Sequence, residues 1–227
     1  MFEQAKKNAA VFATNLVSHG MNIGLGSGTT VYWLIRELAQ RVKLGLQITV
    51  VPTSQETARL AKEAGIRLAV LNDLEQLSLT IDGADEIDHA GQLIKGGGGA
   101  LLQEKMVAAA SSKLIIIADS SKLVQQLGQF ALPVEVIPYG YKQVEQTILK
   151  AGVCKQIRLR KKDGDIFITD HHHCILDCEF EKIANPSSLN IFLHLIPGVV
   201  ETGLFIDMAN QAVIGYEDGR VEVINYR

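Results

Sequence analysis

The sequence predicts an α/β fold with a mostly parallel β-sheet flanked by helices, together with a smaller α+β subdomain. Up to about residue 125, short apolar runs alternate with helix-forming segments, which is typical of a parallel sheet with helical crossovers. Glycine-rich turns follow several of these runs. Beyond Gly128, shorter runs separated by Pro, Gly and Asp-Gly turns favour antiparallel pairing instead.

The composition is that of an ordinary globular protein without a strong charge. The 227 residues are 47% hydrophobic and 21% charged, which suffices for one large domain or two small ones. The formal net charge of −3 offers no basic field to a nucleic-acid backbone, so we predict no nucleic-acid partner. No apolar run reaches the roughly 18 residues of a membrane span, so we predict no membrane partner.

Two features favour a cytoplasmic location. The N-terminal segment carries Lys6 and Lys7, lacks the apolar core of a signal peptide, and is typical of an amphipathic helix. Cys154, Cys174 and Cys178 are odd in number and lack Cys-x-x-Cys spacing, which favours reduced thiols.

The first half of the chain is predicted to alternate helices with buried strands. Gly20 and Gly65 follow helix-forming runs and mark their ends, and short apolar runs that end at turns are typical of buried strands. A capping-box pattern in Thr53-Ser54-Gln55-Glu56 opens one of the helices. The predicted elements are helix 3–19, strand 21–25, helix 31–41, strand 47–52, a helix from the capping box to residue 64, strands 67–71 and 78–82, helix 100–110 and strand 113–118. Right-handed crossovers would join these strands into one Rossmann-like sheet.

The second half is predicted to form a ferredoxin-like subdomain. The elements are strand 132–137, helix 141–151, strands 156–160 and 165–169 around Lys162-Asp163-Gly164, strand 174–180, helix 187–195 and strand 199–206. This order approximates β-α-β-β-α-β, which is typical of the ferredoxin-like fold. A last hairpin over 211–225 turns at Asp218-Gly219 and returns to the main sheet. We therefore predict a catalytic α/β domain of residues 1–127 and 207–227, and a subdomain of residues 128–206.

Three predicted strand-end loops carry polar side chains. They are Gly26–Thr30, Asp82–Asp88 and Asp119–Lys122, and in parallel sheets ligands bind beyond the carboxyl ends of the strands, so the loops should converge. The first has G-x-G-x-G spacing rather than the dinucleotide pattern, and no Gly-Lys-Ser/Thr follows. We interpret it as a simple phosphate cradle, the alternative being a tight turn packed by its glycines.

Residues 78–105 concentrate groups that bind anions and move protons. Carboxylates from Asp82 onward are followed by Lys95, the run Gly96–Gly99 and then Glu104 on a predicted helix. A glycine run before a helix lets backbone N–H groups approach an anion. The segment predicts a site for a small phosphorylated or acidic substrate, although a flexible linker is an alternative. Glu86 and Asp88 are interpreted as turn or surface acids.

The cluster Asp170-His171-His172-His173-Cys174 suggests a metal site at first sight. Consecutive residues of a strand point to opposite faces, so the three histidines cannot all reach one ion without a turn. We interpret the segment as a polar turn between two strands and predict no metal.

Several segments, taken together and in order, resemble the type A ribose-5-phosphate isomerase family. The segments are Gly24-Leu25-Gly26-Ser27-Gly28-Thr29-Thr30, Asp82-Gly83-Ala84-Asp85-Glu86-Ile87, Lys95-Gly96-Gly97-Gly98, Glu104-Lys105, Ala118-Asp119-Ser120-Ser121-Lys122, Leu132-Pro133-Val134-Glu135-Val136-Ile137-Pro138 and Pro197-Gly198-Val199-Val200-Glu201-Thr202-Gly203-Leu204-Phe205. The resemblance implies interconversion of ribose 5-phosphate and ribulose 5-phosphate in the non-oxidative pentose phosphate pathway, without metal or cofactor. It also implies a homodimer or higher homo-oligomer, which the residues themselves do not determine.

The resemblance further implies roles for individual residues. Glu104 would be the base that shuttles a proton through a cis-enediolate, with Asp82 and Lys95 as the other catalytic residues. The implied substrate-binding residues are Lys6, Ser27, Gly28, Thr29, Thr30, Asp82, Gly83, Ala84, Asp85, Lys95, Gly96, Gly97, Gly98 and Lys122. The division of roles between Asp82 and Asp85 stays open, as does whether Lys95 serves the phosphate or the enediolate.

Two departures and two rival functions accompany this resemblance. Family members usually have Gly-Thr-Gly-Ser-Thr at Gly26–Thr30 and Thr-Asp-Asn-Gly-Asn at Thr169–His173. The first exchange keeps the hydroxyl donors, and the second affects a turn.

A sugar-phosphate sensor would need no Glu104 and would usually carry a DNA-binding segment. A coenzyme A transferase would use a glutamate as nucleophile, and hydroxylamine would trap its acyl-enzyme.

Overall fold

A computed structural model describes residues 2–227 of the chain. Six α-helices are found there: α1 (Glu3–Thr14), α2 (Thr29–Lys43), α3 (Gln55–Glu63), α4 (Leu101–Ala109), α5 (Tyr141–Lys150) and α6 (Pro186–His194). The strands are β1 (Asn22–Leu25), β2 (Thr49–Pro52), β3 (Arg67–Leu68), β4 (Leu79–Asp82), β5 (Glu86–Ile87), β6 (Leu93–Ile94), β7 (Leu114–Asp119), β8 (Leu132–Val136), β9 (Gln156–Leu159), β10 (Lys161–Lys162), β11 (Asp165–Ile166), β12 (Cys174–Glu179), β13 (Val199–Thr202), β14 (Leu204–Phe205), β15 (Ala209–Gly215) and β16 (Val221–Asn225). Short 3₁₀ turns cover Leu71–Asp73 and Ser120–Lys122.

The chain forms two compact units. The first unit contains the segment up to Ala84, Gln103–Lys122 and Met208–Arg227, and the second contains Asp85–Leu102 and Leu123–Asp207. These units differ from the predicted division mainly in residues 85–102, which the prediction places in the catalytic domain. They join the second unit because β5 and β6 pair with β14 in a separate three-stranded sheet.

The first unit is built on the predicted parallel sheet. Its seven strands are ordered β16-β15-β7-β4-β1-β2-β3, and only β16 runs antiparallel to its neighbour. From β1 the chain moves outward to β2 and β3, and then returns to place β4 on the other side of β1. This reversal between β1 and β4 is a topological switch point, where α/β sheets bind their ligands. The final hairpin returns to this sheet as predicted.

Helix α1 packs closely on the same sheet. Its alanines Ala5, Ala9 and Ala13 follow one another at helical spacing and are fully buried. At Gly215 of β15, a Cβ atom would lie 1.9 Å from the Ala5 carbonyl oxygen. The small residues on both sides therefore allow helix and strand to approach to backbone contact.

The second unit contains the predicted ferredoxin-like sheet. Its four strands are ordered β13-β8-β12-β9 and all pairs are antiparallel. In chain order this is the 4-1-3-2 arrangement of a β-α-β-β-α-β unit, with α5 and α6 as its helices. Leu132, Val134 and Val136 of β8 face one core with residues of both helices, since alternate residues of a strand share a face.

Several predicted boundaries needed correction. The first helix ends at Thr14 rather than at residue 19. The helix after β2 is capped by Ser54, whose hydroxyl accepts the Thr57 N–H, and not by the predicted Thr53. The predicted strand 199–206 is split at Gly203, where the chain passes from one sheet to another. A side chain there would clash, because a Cβ atom would lie 2.4 Å from the Lys95 carbonyl oxygen.

The predicted Asp-Gly turn is confirmed, but it joins two short strands in a separate sheet, whereas β9 of the predicted strand 156–160 pairs with β12. Strands β10 and β11 pair across Asp163 and Gly164, whose φ values are +54° and +93°. Two positive φ values are the signature of the turn type that Asp-Gly favours between antiparallel strands. Among residues 2–227, none of the helices combines the length and the hydropathy that crossing a membrane requires.

Candidate active site

The carboxyl ends of the three central strands meet as predicted. Strands β7, β4 and β1 are adjacent and parallel, so their last residues lie at the same edge of the first unit. Asp82 ends β4 and is fully buried. Its Oδ1 accepts hydrogen bonds from the N–H groups of Ser27, at 3.0 Å, and Gly83, at 2.7 Å. These bonds tie the loop after β1 to the loop after β4.

Two glycines are required by close packing, Gly24 in β1 and Gly26 in the loop that follows it. A Cβ atom on Gly26 would lie 2.0 Å from Oδ1 of Asp82 and 2.6 Å from its Cα. A Cβ atom on Gly24 would lie 1.9 Å from the Thr80 hydroxyl oxygen. The glycine pattern that we interpreted as a phosphate cradle thus has a second purpose, which is to let the Asp82 carboxylate fill the space beside β1.

The Ser27 hydroxyl is held by a cluster of hydroxyl groups that the sequence analysis missed. Its Oγ lies 2.8 Å from the hydroxyl oxygens of Thr53 and Ser54 and 3.1 Å from that of Thr57. Thr57 also donates to the Gly26 carbonyl oxygen at 2.8 Å. The capping-box pattern marked these residues only as the start of a helix. Their second role depends on β2 lying next to β1.

The N-terminus of α2 stands open at the same edge. Gly28 is its N-cap, with a φ of +98°, and no side chain caps the helix. Gly28 and Thr29 are exposed and Thr30 is half-buried. Because the first N–H groups of a helix have no partner within the helix, this terminus presents donors and a positive dipole end to an anion.

Glu104 lies in the first turn of α4 and is buried, with 5% of its surface exposed. The contacts of two other α4 residues show where the start of this helix lies relative to the sheet. Gln103 donates from Nε2 to the Pro52 carbonyl oxygen, at the carboxyl end of β2, at 2.9 Å. Val107 packs on β1 near Gly24, whose Cβ would lie 2.6 Å from its Cγ1. The helix therefore begins at the carboxyl edge of the sheet, which places Glu104 at that edge.

The two lysines of the first unit that were expected to bind substrate, Lys122 and Lys6, lie on different elements. Lys122 ends the 3₁₀ turn after β7, where the Asp119 carboxylate accepts the Ser121 N–H at 3.0 Å. Lys6 lies on α1 and donates to Glu3 at 3.0 Å. Glu3 also accepts the Trp33 indole N–H of α2 at 3.1 Å. The Lys6 ammonium, followed by that indole, holds the pKa of the Glu3 carboxyl below its usual value.

The expected residues from Asp85 to Gly98 lie in the second unit, whereas Ala84 ends a segment of the first. Lys95 follows β6 and is buried, and its Nζ lies 5.2 Å from the centre of the Phe205 ring, within cation–π range. Asp85 Oδ2 accepts the Gly97 N–H at 2.8 Å. The turn after Lys95 is closed by the Gly99 N–H, which donates to the Gly96 carbonyl oxygen at 2.9 Å. The four glycines form an ordered turn, so the interpretation as a flexible linker is wrong.

Glu86 differs from our interpretation as a turn or surface acid, whereas Asp88 is a turn acid as predicted. Glu86 is buried and accepts the N–H groups of Gly128 and Phe130, so it anchors a distant loop. Asp88 does organise a turn, because its Oδ1 accepts the Ala90 and Gln92 N–H groups at 2.9 Å, but it too is buried. The charged residues next to Glu86 and Asp88 in the sequence did not indicate that these two side chains are buried.

The histidine segment forms the predicted polar turn. The Thr169 N–H donates to the His173 carbonyl oxygen and the His172 N–H returns to the Thr169 carbonyl oxygen, both at 2.9 Å. His173 turns inward, with Nδ1 3.0 Å from Oε1 of the buried Glu135. Across the described part of the chain, no three His, Cys, Asp or Glu side chains are grouped as metal ligands.

Comparison with known proteins gives consistent results over nearly the whole chain. Residues 49–219 match the family described as ribose 5-phosphate isomerase A (phosphoriboisomerase A). A Bacillus cereus protein named ribose-5-phosphate isomerase A is 57% identical over 215 residues, covering 94% of this chain and 97% of that protein. The solved ribose 5-phosphate isomerase from Plasmodium falciparum is 39% identical, with a TM-score of 0.95 over 98% of each chain. A D-ribose-5-phosphate isomerase in complex with phospho-erythronic acid is 35% identical, with a TM-score of 0.93 over 97% of each chain.

Proposed function

The chain belongs to the ribose 5-phosphate isomerase A family, and from that premise we propose that it interconverts D-ribose 5-phosphate and D-ribulose 5-phosphate. This reaction belongs to the non-oxidative branch of the pentose phosphate pathway. The observation that carries the proposal is the placement of two buried carboxylates, Asp82 and Glu104, at the sheet edge where the N-terminus of α2 opens. That edge offers a proton acceptor and an anion site to a small phosphorylated sugar.

We assign the proton transfer to Glu104. An aldose becomes a ketose when a proton leaves C2 and returns to C1 through a cis-enediolate, and one carboxylate can perform both transfers. The side chain is held in the first turn of a helix and is almost fully buried, which fixes its position and limits contact with water. A positioned general base contributes about 10²–10⁴-fold to the rate.

The rest of the rate acceleration has to come from stabilising the charge of the enediolate. We propose Lys95 and the N–H groups of Gly96–Gly98 for that purpose, or for the phosphate. Asp82 is proposed to accept a proton when the furanose ring opens, and Asp85 to hold sugar hydroxyls, with the reverse assignment equally open. Gly83 and Ala84 follow Asp82 and would contact the sugar through their backbone.

The phosphate is assigned to the N-terminus of α2. Ser27, Gly28, Thr29 and Thr30 supply backbone N–H groups and hydroxyls there, and the cluster around Ser27 fixes one hydroxyl. Lys122 and Lys6 would add positive charge. The relative solved in complex with phospho-erythronic acid supports a phosphorylated sugar as the substrate, because that ligand joins a phosphate to a planar carboxylate that resembles an enediolate.

The proposed function is tested by supplying ribose 5-phosphate and measuring ketose formation without added metal. We expect turnover, and we expect it to persist after exhaustive chelation because none of the proposed steps uses a metal ion. A protein that produces no ketose would contradict the proposed function. Loss of turnover on chelation, restored by a divalent cation, would contradict the metal-free mechanism and return attention to His171–His173.

We further propose a cytoplasmic enzyme that assembles as a homodimer or higher homo-oligomer. The second unit exposes apolar side chains that a monomer would leave in water. Ile191 and Leu195 lie one turn apart in the segment of α6 and its C-cap and are 63% and 76% exposed. Tyr139 is 94% exposed and Ile137, two residues before it, is 45% exposed. The Ile137 N–H donates to the carbonyl oxygen of Gly198, which follows α6. Contiguous exposed apolar surface is typical of interaction sites.

The oligomer is tested by light scattering on the purified chain. We expect a mass at least twice that of the 24.7 kDa chain. Introducing Ile191→Glu and Leu195→Glu together should shift the protein toward the monomer, since two charges would be buried unpaired. Leu44→Glu is the matched control, because Leu44 is 88% exposed but lies in the first unit. A wild-type monomer would contradict the proposal.

A further inference from the structure

The glycine turn of the second unit is held by an arginine that is distant in the sequence. Nη1 of Arg160 donates to the carbonyl oxygens of Gly96, at 2.7 Å, and Gly97, at 3.1 Å. The Arg160 side chain is largely buried, with 14% of its surface exposed. A guanidinium in this position fixes two successive peptide groups at once, which a single neutral donor would not do.

Asp177 fixes the arginine in turn. Its two carboxylate oxygens accept hydrogen bonds from Nε and Nη2 of Arg160, the first at 2.9 Å. Such a bidentate pair sets the plane of the guanidinium. The remaining nitrogen, Nη1, is the one that reaches the turn. Asp177 lies on β12, an inner strand of the antiparallel sheet. The orientation of the Arg160 guanidinium is therefore fixed by a rigid element.

The direction of the carbonyl groups determines the direction of the amides. In a trans peptide the N–H points opposite to the preceding C=O, and no cis peptide bond occurs in residues 2–227. The Gly96 carbonyl faces Arg160, and the Gly97 N–H accordingly points the other way, where Asp85 accepts it at 2.8 Å. This bond confirms the geometry for the first of the two peptides.

The second peptide leaves one donor unused. The Gly97 carbonyl also faces Arg160, so the Gly98 N–H points away from the guanidinium. Within residues 2–227 this N–H has no hydrogen-bond partner, Gly98 is exposed, and a Cβ atom there would meet nothing within 4 Å. An oriented amide that faces open space is suited to an anionic oxygen.

We propose that Arg160 and Asp177 are positioning residues that aim the Gly98 amide at an anionic oxygen of the substrate. The inference rests on the proposed function, since the oxygen belongs either to the enediolate or to the phosphate of the sugar. Arg160 touches neither. It acts through the backbone of the turn, and its loss would leave the turn free to rotate its peptide groups.

The test compares two arginines of the same sheet region. Arg160→Met removes the guanidinium from the turn. Arg158→Met removes a neighbouring guanidinium that pairs with Glu179 and is 63% exposed. We expect Arg160→Met to lower kcat/KM by about 10–100-fold, because small misplacements of a catalytic group can cost that much. Arg158→Met should remain within about twofold of wild type. A loss in kcat would assign the oxygen to the enediolate, and a rise in KM would assign it to the phosphate.

Hydrogen exchange provides a readout that a purely structural role would not change. Phospho-erythronic acid should slow exchange of the backbone amides in a peptide covering Gly96–Gly99 of the wild type and of Arg158→Met, but not of Arg160→Met. If Arg160→Met fails to fold, Arg160→Lys and Asp177→Asn provide the same comparison, since lysine cannot bind the carboxylate and both carbonyls together.

The outcomes separate this inference from the proposed function. An inactive wild-type enzyme rejects the function, whatever the variants do. An active wild type with unchanged kinetics and ligand protection in folded Arg160→Met rejects the inference alone. Equal losses in Arg160→Met and Arg158→Met would reject it as well, because they would reflect general damage to the sheet.

Discussion

Replacing Glu104 with glutamine is expected to lower kcat by two to four orders of magnitude while the protein still binds a phosphorylated sugar. The amide keeps the size of the side chain in its buried place on α4 but cannot accept and return a proton. A loss of this size corresponds to roughly 3–5.5 kcal/mol of barrier, which is the full contribution of a general base. Steady-state kinetics with ribose 5-phosphate measures kcat, and calorimetric titration with phospho-erythronic acid measures binding.

The matched control is Glu63→Gln. Glu63 ends α3, is exposed and pairs with Arg59 on the surface, so its charge should not affect the reaction. We expect its kcat to stay within about twofold of the wild type. Near-normal turnover in Glu104→Gln would remove Glu104 as the base. Loss of ligand binding in that variant would show that the substitution disturbs the site rather than the proton transfer.

Replacing Gly26 with alanine is expected to destabilise the fold by about 3 kcal/mol or more and to abolish most activity. The new methyl group would lie 2.0 Å from Oδ1 of Asp82 and 2.6 Å from its Cα, so the side chain and the strand would both have to move. That movement breaks the bond from the Ser27 N–H, which joins the two loops of the site. Denaturant unfolding measures the stability, and the ribose 5-phosphate assay measures the activity.

Gly83→Ala is the control for this substitution. Gly83 lies in the neighbouring loop and has no positive φ, and a Cβ atom there would meet its nearest neighbours at ordinary contact distances of 3.7 and 4.0 Å. The change in unfolding free energy should therefore stay below about 1 kcal/mol. If Gly26→Ala were as stable as Gly83→Ala, the close packing of Asp82 against the first loop would be disproved.

Much of the fold could be predicted because its strongest signals are local. The strand Leu114–Asp119 is apolar up to its last residue, and a strand buried on both faces has this pattern. The alternation of such runs with helices then leaves few topologies, and a parallel sheet with right-handed crossovers is the common one. The Asp163-Gly164 hairpin was predicted for the same reason, since the two residues determine the turn by themselves.

Element ends and strand breaks were predicted less well. Gly203 divides the predicted strand 199–206 into two shorter strands, a break that we did not predict. The division follows from the crossing of two backbones, with the Gly203 N–H donating to the Pro133 carbonyl oxygen and its own carbonyl accepting the Lys95 N–H. Contacts of this kind join residues that are far apart in the sequence, so no local pattern records them.

The sequence by itself determined which strand-end loops carry the polar groups, because glycine-rich turns and carboxylates at the ends of apolar runs are visible in a single chain. Only the tertiary structure decided what holds those groups in place. The hydroxyls around Ser27 depend on the pairing of β1 with β2, the anchoring role of Glu86 depends on a loop about forty residues away, and the orientation of the glycine turn depends on Arg160. These supporting groups are ordinary polar residues whose partners are fixed by the packing of the sheets, and packing is not encoded in any single segment.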